Sequence, residues 1–372
     1  MSFPFKRSAE PDRVVPACNP GASPGQAVFA AEPPRLALAD AESIAWQAYG
    51  LRATARLLSS ERDQNFLLRL DDGRAYVLKA THPAEDPAVT DFQTQAQLHL
   101  MQADAALPIP HLHRTRDGGW VYWYEGPVGV RRAIRLISFV NGMPLWQAER
   151  GPAQRAALGQ ALAAFDLALQ GFDHPMAGHE LLWDLQRAES VADLLPLIEE
   201  PGRRALAESH MARFVENVRP ALRRLPRRQV IHNDLNAYNI MVFQDDPARI
   251  AALLDFGDMV RAPLVQDLGV AAAYQLEDAA DPITPAATTL IAAYHRALPL
   301  DEDELVLLPD LIAARLLITV AITGWRAHQH PENSKYILRN NGLAWTGLAR
   351  LAALAPGQAS DIVLEACRGT PA

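Results

Sequence analysis

Residues 229–258 read QVIHNDLNAYNIMVFQDDPARIAALLDFGD, and this stretch decides how the rest of the chain is understood. Apolar Val230 and Ile231 lead into the polar loop HNDLNAYN, and residues 240–243 lead out of it, which predicts strand, loop, strand. A turn at 245–247 and the apolar run 251–254 add a third strand, which ends on Asp255-Phe256-Gly257-Asp258. The loop sets His232, Asp234 and Asn239 in the spacing H-x-D-x-x-x-x-N. The hairpin that follows returns Asp255 toward Asp234 and Asn239, so three oxygen-bearing side chains meet at one end of a small sheet.

Phosphoryl transfer needs that set. One carboxylate accepts or orients the proton of an attacking hydroxyl, while another carboxylate and an amide hold Mg²⁺ against a triphosphate. Asp234 suits the first role as catalytic residue, Asp255 and Asn239 suit the second as metal ligands, and His232 is expected to brace the loop through its backbone. The H-x-D-x-x-x-x-N spacing alone arises by chance in about one sequence in a hundred of this size. With D-F-G at hairpin distance and strands on both sides, chance becomes a poor account.

Outward from this stretch the chain divides in character. Residues 1–35 hold seven of the 28 prolines and little apolar periodicity, and they read as an extended or disordered lead-in. Residues 36–140 read as a small β-rich lobe. It has a helix over 39–49 with Asp40 as its N-cap, a hairpin of 66–70 and 75–78 ending on Lys79, a helix over 89–103, and strands at 120–124 and 134–139. From 141 to 372 long helical patterns dominate, at 153–170, 204–222, 283–297 and 303–327, and these form a second lobe around the catalytic stretch. The expected fold class is α+β: a protein-kinase-like two-lobe arrangement with a small antiparallel sheet and a mainly helical C-terminal lobe.

The two motifs resemble the catalytic and metal loops of the kinase-like phosphotransferases of small molecules, the aminoglycoside phosphotransferase and choline kinase superfamily. The resemblance spans about residues 36–350. Within it, DQNFLL (63–68), HNDLNAYNIMV, LLDFGDM and HPENSKY (330–336) are most similar to the hydroxylysine kinase family, which implies transfer from ATP or GTP to the hydroxyl of 5-hydroxylysine. Homoserine, choline, methylthioribose and aminoglycoside kinases share this chemistry, and a catalytically silent binding module is the alternative from another class. Asn233 stands where the superfamily usually has Gly, a change that Asn tolerates because it adopts positive φ more readily than most residues.

The resemblance also implies a nucleotide site. Lys79 would reach the phosphates, with Asp91 as its orienting carboxylate and Glu85 or Asp86 as substitutes. No G-x-G-x-x-G loop is present, so Ser59, Ser60 and the turn before Asn65 would cover the phosphates, and the backbone of 138–140, from Ser138 to Val140, would meet the purine. For the acceptor, Asp258, Asp267, Trp325, Arg326 and His328 are candidates by position. Residues 256–273 contain no Ser, Thr or Tyr and no A-P-E anchor, which argues against a peptide acceptor and for a small polyfunctional alcohol; the resemblance implies an amino alcohol or hydroxy amino acid.

Composition bounds these readings. The chain of 372 residues has 49% hydrophobic and 21% charged residues, enough for a sizeable core. Its formal charge of -8 disfavours nucleic acid and anionic membranes as bulk partners. The two cysteines, Cys18 and Cys367, argue against a disulfide framework, and the cytoplasm is the expected compartment. The apolar stretch 311–325 is interrupted by Arg315, so no membrane span is expected.

Overall fold

The computed structural model describes residues 35–60, 62–126, 129–276, 283 and 285–368. The predicted lead-in therefore lies almost wholly outside the described residues. Helix α1 (Leu38–Tyr49) opens the described chain, followed by β1 (Thr54–Leu58), β2 (Gln64–Arg69), β3 (Ala75–Ala80), α2 (Pro87–Ala103), β4 (Leu112–His113), β5 (Tyr122–Glu125) and β6 (Arg131–Ser138). The strands form one antiparallel sheet in the order β1-β2-β3-β6-β4, with β5 also paired to β6.

Strand alternation explains what this sheet presents. Phe66, Leu78 and Leu136 are cross-strand partners, and all three pack into one small core with Ile44 and Ala45 of α1. The next register row is Asn65, Lys79 and Arg135, which must project from the opposite face. A single-residue slip would bury the polar row against α1, so the apolar pattern fixes where Lys79 points. Asp40, expected as the N-cap of α1, lies one turn inside, and its carboxylate accepts the N–H of Ala37 at 2.8 Å. The true cap residue, Ala37, has no side-chain oxygen to do this itself.

The remainder is mainly helical. After β7 (Met143–Pro144) come α3 (Pro152–Ala168), α4 (Pro201–Arg213) and α5 (Arg219–Arg224), the last two joined by a π-helical turn at Phe214–Val218. The pattern over 204–222 predicted one helix, and Pro220 just after that turn accounts for the break in regular hydrogen bonding. Then follow β8 (Arg228–Ile231), β9 (Ile240–Val242), β10 (Ile250–Leu253), β11 (Val260–Pro263), α6 (Val265–Ala273), α7 (Pro285–Ala297), α8 (Glu302–Gln329), α9 (Ser334–Ile337), α10 (Asn341–Ala353) and α11 (Gln358–Arg368). Strand β9 pairs β10 as anticipated, whereas β8 pairs the unanticipated β11, with Val260 opposite Ile231.

Close helix packing holds this part together. A Cβ at Gly159 of α3 would collide with the carbonyl oxygen of Leu290 and lie 3.0 Å from the nitrogen of Tyr294, so glycine is what lets α3 and α7 approach. Helix α8 runs through the large core. By length and composition it could cross a bilayer, yet 83% of its most apolar window is buried inside the fold, which is the signature of a core helix.

Candidate active site

The loop between β8 and β9 is held from both sides. His232 is fully buried, its Nε2 donating to the carbonyl of Leu254 at 2.9 Å while its Nδ1 accepts the Asp234 N–H at 3.3 Å. This is the backbone bracing expected of His232. From beneath, Asp267 at the start of α6 accepts the N–H of His232 on one oxygen at 2.7 Å and that of Asn233 on the other at 2.8 Å. Asn233 adopts φ +64, so the backbone does require the left-handed conformation that glycine would supply. Asp267, a candidate acceptor contact by sequence, is instead completely buried and positions the loop.

Asp267 does not stand alone. It shares a hydrogen bond with the buried carboxyl of Asp166, which also accepts the Tyr294 hydroxyl at 2.6 Å. Burial, with Asp267 adding to it, pushes the Asp166 carboxyl well above the usual carboxylate range, which favours its neutral form. An amide keeps the acceptor and the donor of a neutral carboxylic acid and adds one further N–H. Asp166→Asn is expected to cost less stability than Asp267→Asn, which gives up an acceptor of a buried N–H and costs about 1–3 kcal/mol. Urea unfolding of both variants checks the contrast.

Asp234 accepts four hydrogen bonds from three side chains. Its Oδ2 accepts from Nδ2 of Asn236 at 3.0 Å and of Asn239 at 2.8 Å, and its Oδ1 accepts from Nη2 of Arg315 at 2.6 Å. Asn239 also donates to the Asp234 carbonyl at 2.9 Å. Burial pushes the Asp234 carboxyl up to about 7, with Arg315 opposing the rise. Arg315, on α8, is itself only 2% exposed; it bonds the Tyr274 hydroxyl and the Trp183 carbonyl and lies 5.0 Å from the Trp183 ring centre. Sequence reasoning registered Arg315 only as an interruption of an apolar helix, although a lone charge on such a helix is itself a signal of a buried partner.

Asp255, at φ +62, turns its carboxylate back across the loop. Oδ1 accepts the Gly257 N–H at 3.1 Å and meets Lys79 Nζ at 3.0 Å. The Lys79 ammonium holds the Asp255 carboxyl well below the usual range, and Arg62 adds to the effect. Gly257 is needed for this geometry, since a Cβ there would stand 2.8 Å from Arg62 Nη2 and 3.0 Å from Asp255 Oδ1. Because both hydrogens of the Asn239 amide go to Asp234, its Oδ1 is left facing no donor among the described residues. A carboxylate and a free amide oxygen are hard oxygen donors that fit Mg²⁺, which takes one or two protein ligands and completes its shell with phosphates and water. Among the described residues no cluster of three His, Cys, Asp or Glu offers a self-sufficient metal cage.

The predicted partner of Lys79 needs correction. Asp91 points away to His174 Nε2 at 3.2 Å and to Gln95 at 3.3 Å, and its side chain is 59% exposed. Asp86 is the N-cap of α2, bonding the Ala88 N–H at 2.8 Å, and Glu85 lies among Arg62, Asp63 and Asp258. The carboxylate that Lys79 meets, besides Asp255, is Asp63 at 3.1 Å, and Asp63 is fixed by the His82 N–H at 2.9 Å. It sits in the quoted stretch DQNFLL but was not given that role. The inward residue of α2 is Gln93, which takes a bond from Arg135 at 3.1 Å and donates to the Gly257 carbonyl at 3.2 Å, tying the helix to the metal loop.

The other nucleotide candidates lie at two ends of the sheet, Asn65 opposite Lys79 and Ser138 opposite Tyr76. Ser60 bonds the Asp63 carbonyl through its hydroxyl, and Asn65 stands opposite Lys79 with its side-chain oxygen buried and without a donor. Ser138 ends β6, bonded to His113 at 2.9 Å, and the Val140 N–H beyond it makes no backbone bond among the described residues. Of the acceptor candidates, Asp258 pairs with Arg62 at 2.7 Å, which binds it to the N-terminal region. Trp325 and Arg326 are half-buried about 15 Å along α8 from Arg315, at 1.5 Å per residue, and His328 is exposed. A cavity lined by Arg315, which itself holds Asp234, is walled instead by Tyr274, Thr319, Asn340 and Arg150.

Comparison with known proteins agrees with this geometry. A family profile described as "Phosphotransferase enzyme family" matches residues 54–305. Hydroxylysine kinase of Mus musculus is 23% identical over 353 residues, covering 89% of this chain and 93% of that protein, and hydroxylysine kinase of Danio rerio is 25% identical over 330 residues, covering 86% and 92%. Among solved structures, an amicoumacin kinase in complex with AMP-PNP, Ca²⁺ and Ami superposes with a TM-score of 0.62 at 13% identity, covering 80% of this chain and 91% of that one. A microcompartment-associated aminopropanol kinase gives 0.62 at 19% identity, covering 85% and 98%. These likenesses establish the kinase-like fold. With the profile spanning more than half of its length, the chain belongs to the phosphotransferase enzyme family.

Proposed function

We propose that the protein transfers the terminal phosphoryl group of ATP or GTP to a hydroxyl of a small amino alcohol or hydroxy amino acid, with 5-hydroxylysine as the foremost acceptor. The observation that carries this reading is the convergence of Asp234, Asn239, Asp255 and Lys79, with burial pushing the Asp234 carboxyl up to about 7. The full-length similarity to hydroxylysine kinases supports the choice of acceptor.

Asp255 and Asn239 would hold Mg²⁺, which when bound neutralises the terminal phosphates. Lys79, steadied by Asp63, binds the donor phosphates from the sheet side, and the backbone around Val140 offers its free N–H to the base. Asp234 orients the acceptor hydroxyl for in-line attack and takes up its proton. Since the transition state is largely metaphosphate-like, positioning and charge neutralisation carry most of the catalysis.

The test is a coupled assay of nucleoside diphosphate release, run with ATP and with GTP against 5-hydroxylysine, homoserine, choline, ethanolamine, methylthioribose and kanamycin. Release that depends on 5-hydroxylysine is the expected result. Release with another member of the panel alone would reassign the acceptor, and none above background hydrolysis would favour a silent kinase-like module.

A further inference from the structure

The cavity that we take as the acceptor pocket is lined by two arginines, and only one of them has its charge answered. Arg315 is neutralised by Asp234. Arg150, in the loop before α3, donates from Nη1 to the carbonyl of Tyr274 at 3.2 Å, and no carboxylate among the described residues stands within ion-pair distance of it. Burial and the neighbouring Arg155 both weigh against its charge. A guanidinium cannot shed its proton in a protein, so Arg150 holds a half-buried positive charge that an anion entering the pocket would satisfy.

Tyr274 relates this charge to the chemistry. Its backbone carbonyl holds Arg150, while its hydroxyl takes two bonds from Arg315, at 3.1 Å from Nε and 3.0 Å from Nη2. Arg315 in turn holds Asp234. One tyrosine, from main chain to hydroxyl, thus separates the unanswered charge from the catalytic carboxylate. An acceptor spanning that gap carries its anion several carbons away from the hydroxyl that reacts.

We propose that Arg150 is a specificity-determining residue that binds the carboxylate of the acceptor, so that the pocket selects a hydroxy amino acid with a distal hydroxyl over the corresponding amino alcohol. This rests on the kinase reading above and names the feature by which the acceptor is chosen. The planar fork of Arg150 suits a carboxylate, and the donor phosphates meet Lys79 on the sheet side instead.

Steady-state kinetics on 5-hydroxylysine and on its decarboxylated counterpart, 1,5-diaminopentan-2-ol, test the proposal. In the wild type, kcat/KM is expected to favour the amino acid by about 10–100-fold, the size of a lost charge-assisted hydrogen bond. Arg150→Gln is expected to bring the two acceptors near parity by raising KM for 5-hydroxylysine, with kcat and the nucleotide KM little changed, and Arg150→Lys to restore part of the preference. Equal use of both acceptors by the wild type would overturn the proposal while leaving the kinase reading intact. A rise in nucleotide KM in Arg150→Gln would also overturn it, by placing the residue at the donor. Turnover of neither acceptor would exclude 5-hydroxylysine as the acceptor, and this proposal with it.

Discussion

Replacing Asp234 by asparagine lowers turnover on the acceptor by about 10²–10⁴-fold, the usual worth of a positioned general base. The substitution removes the proton acceptor and also leaves a donor facing a donor. If the new amide turns its nitrogen toward Arg315, it opposes Nη2; if it turns the other way, it opposes the amides of Asn236 and Asn239. Nucleotide affinity should change far less, because Lys79 and Asp255 belong to a separate pair of contacts. Single-turnover kinetics alongside titration of a fluorescent nucleotide separate the two effects. A variant with unchanged turnover would remove Asp234 from the mechanism.

Asp255→Ala is expected to cost more than the roughly 10–100-fold that follows loss of an outer-shell partner of a metal ligand, because Asp255 would bind the ion directly. It also strips Lys79 of one of its two carboxylates and the Gly257 N–H of its acceptor, so the metal loop loosens from the sheet. The check is a Mg²⁺ titration of activity: the half-saturating concentration rises steeply and the maximum falls. Asp91→Ala is the matched control. Its carboxylate lies at the surface with His174, so activity and Mg²⁺ dependence stay near those of the wild type.

Why was Asp255 legible in the sequence when the partner of Lys79 was not? Residues 229–258 carry their geometry locally. Apolar runs of strand length, a short turn and a polar loop leave few ways to arrange the chain, so His232, Asp234, Asn239 and Asp255 could be placed together from spacing alone. The positive φ at position 233 was readable from the resemblance, because the superfamily usually has Gly where Asn233 stands. Lys79 was expected from the resemblance and its place at a strand end, and the β3 alternation, which buries Leu78 against α1, explains why it turns outward.

The contacts that escaped are those made between distant segments. Asp63 meets Lys79 across paired strands, and the expectation of a helix acid in Asp91 gave way to Gln93, which is the residue that faces the metal loop. Arg315 reaches Asp234 over 81 positions in sequence, from a helix whose apolar character spoke only of burial. Asp267 looked like a pocket residue because it follows the metal loop, and only the pairing of β8 with the unanticipated β11 shows that α6 starts beneath the catalytic loop. Which face of a helix looks into a site depends on the packing of the whole helical part, and periodicity does not record it.

The central claim is that phosphate moves from a nucleoside triphosphate to the hydroxyl of a small acceptor held at Asp234. Phosphorus NMR of a reaction with purified protein, Mg²⁺, ATP or GTP and 5-hydroxylysine tests it most directly. The account predicts loss of the γ-phosphate resonance and growth of a phosphomonoester signal coupled to the proton on C5, both abolished by Asp234→Asn. Appearance of inorganic phosphate alone, or a phosphomonoester formed equally well by the Asp234→Asn variant, would contradict it.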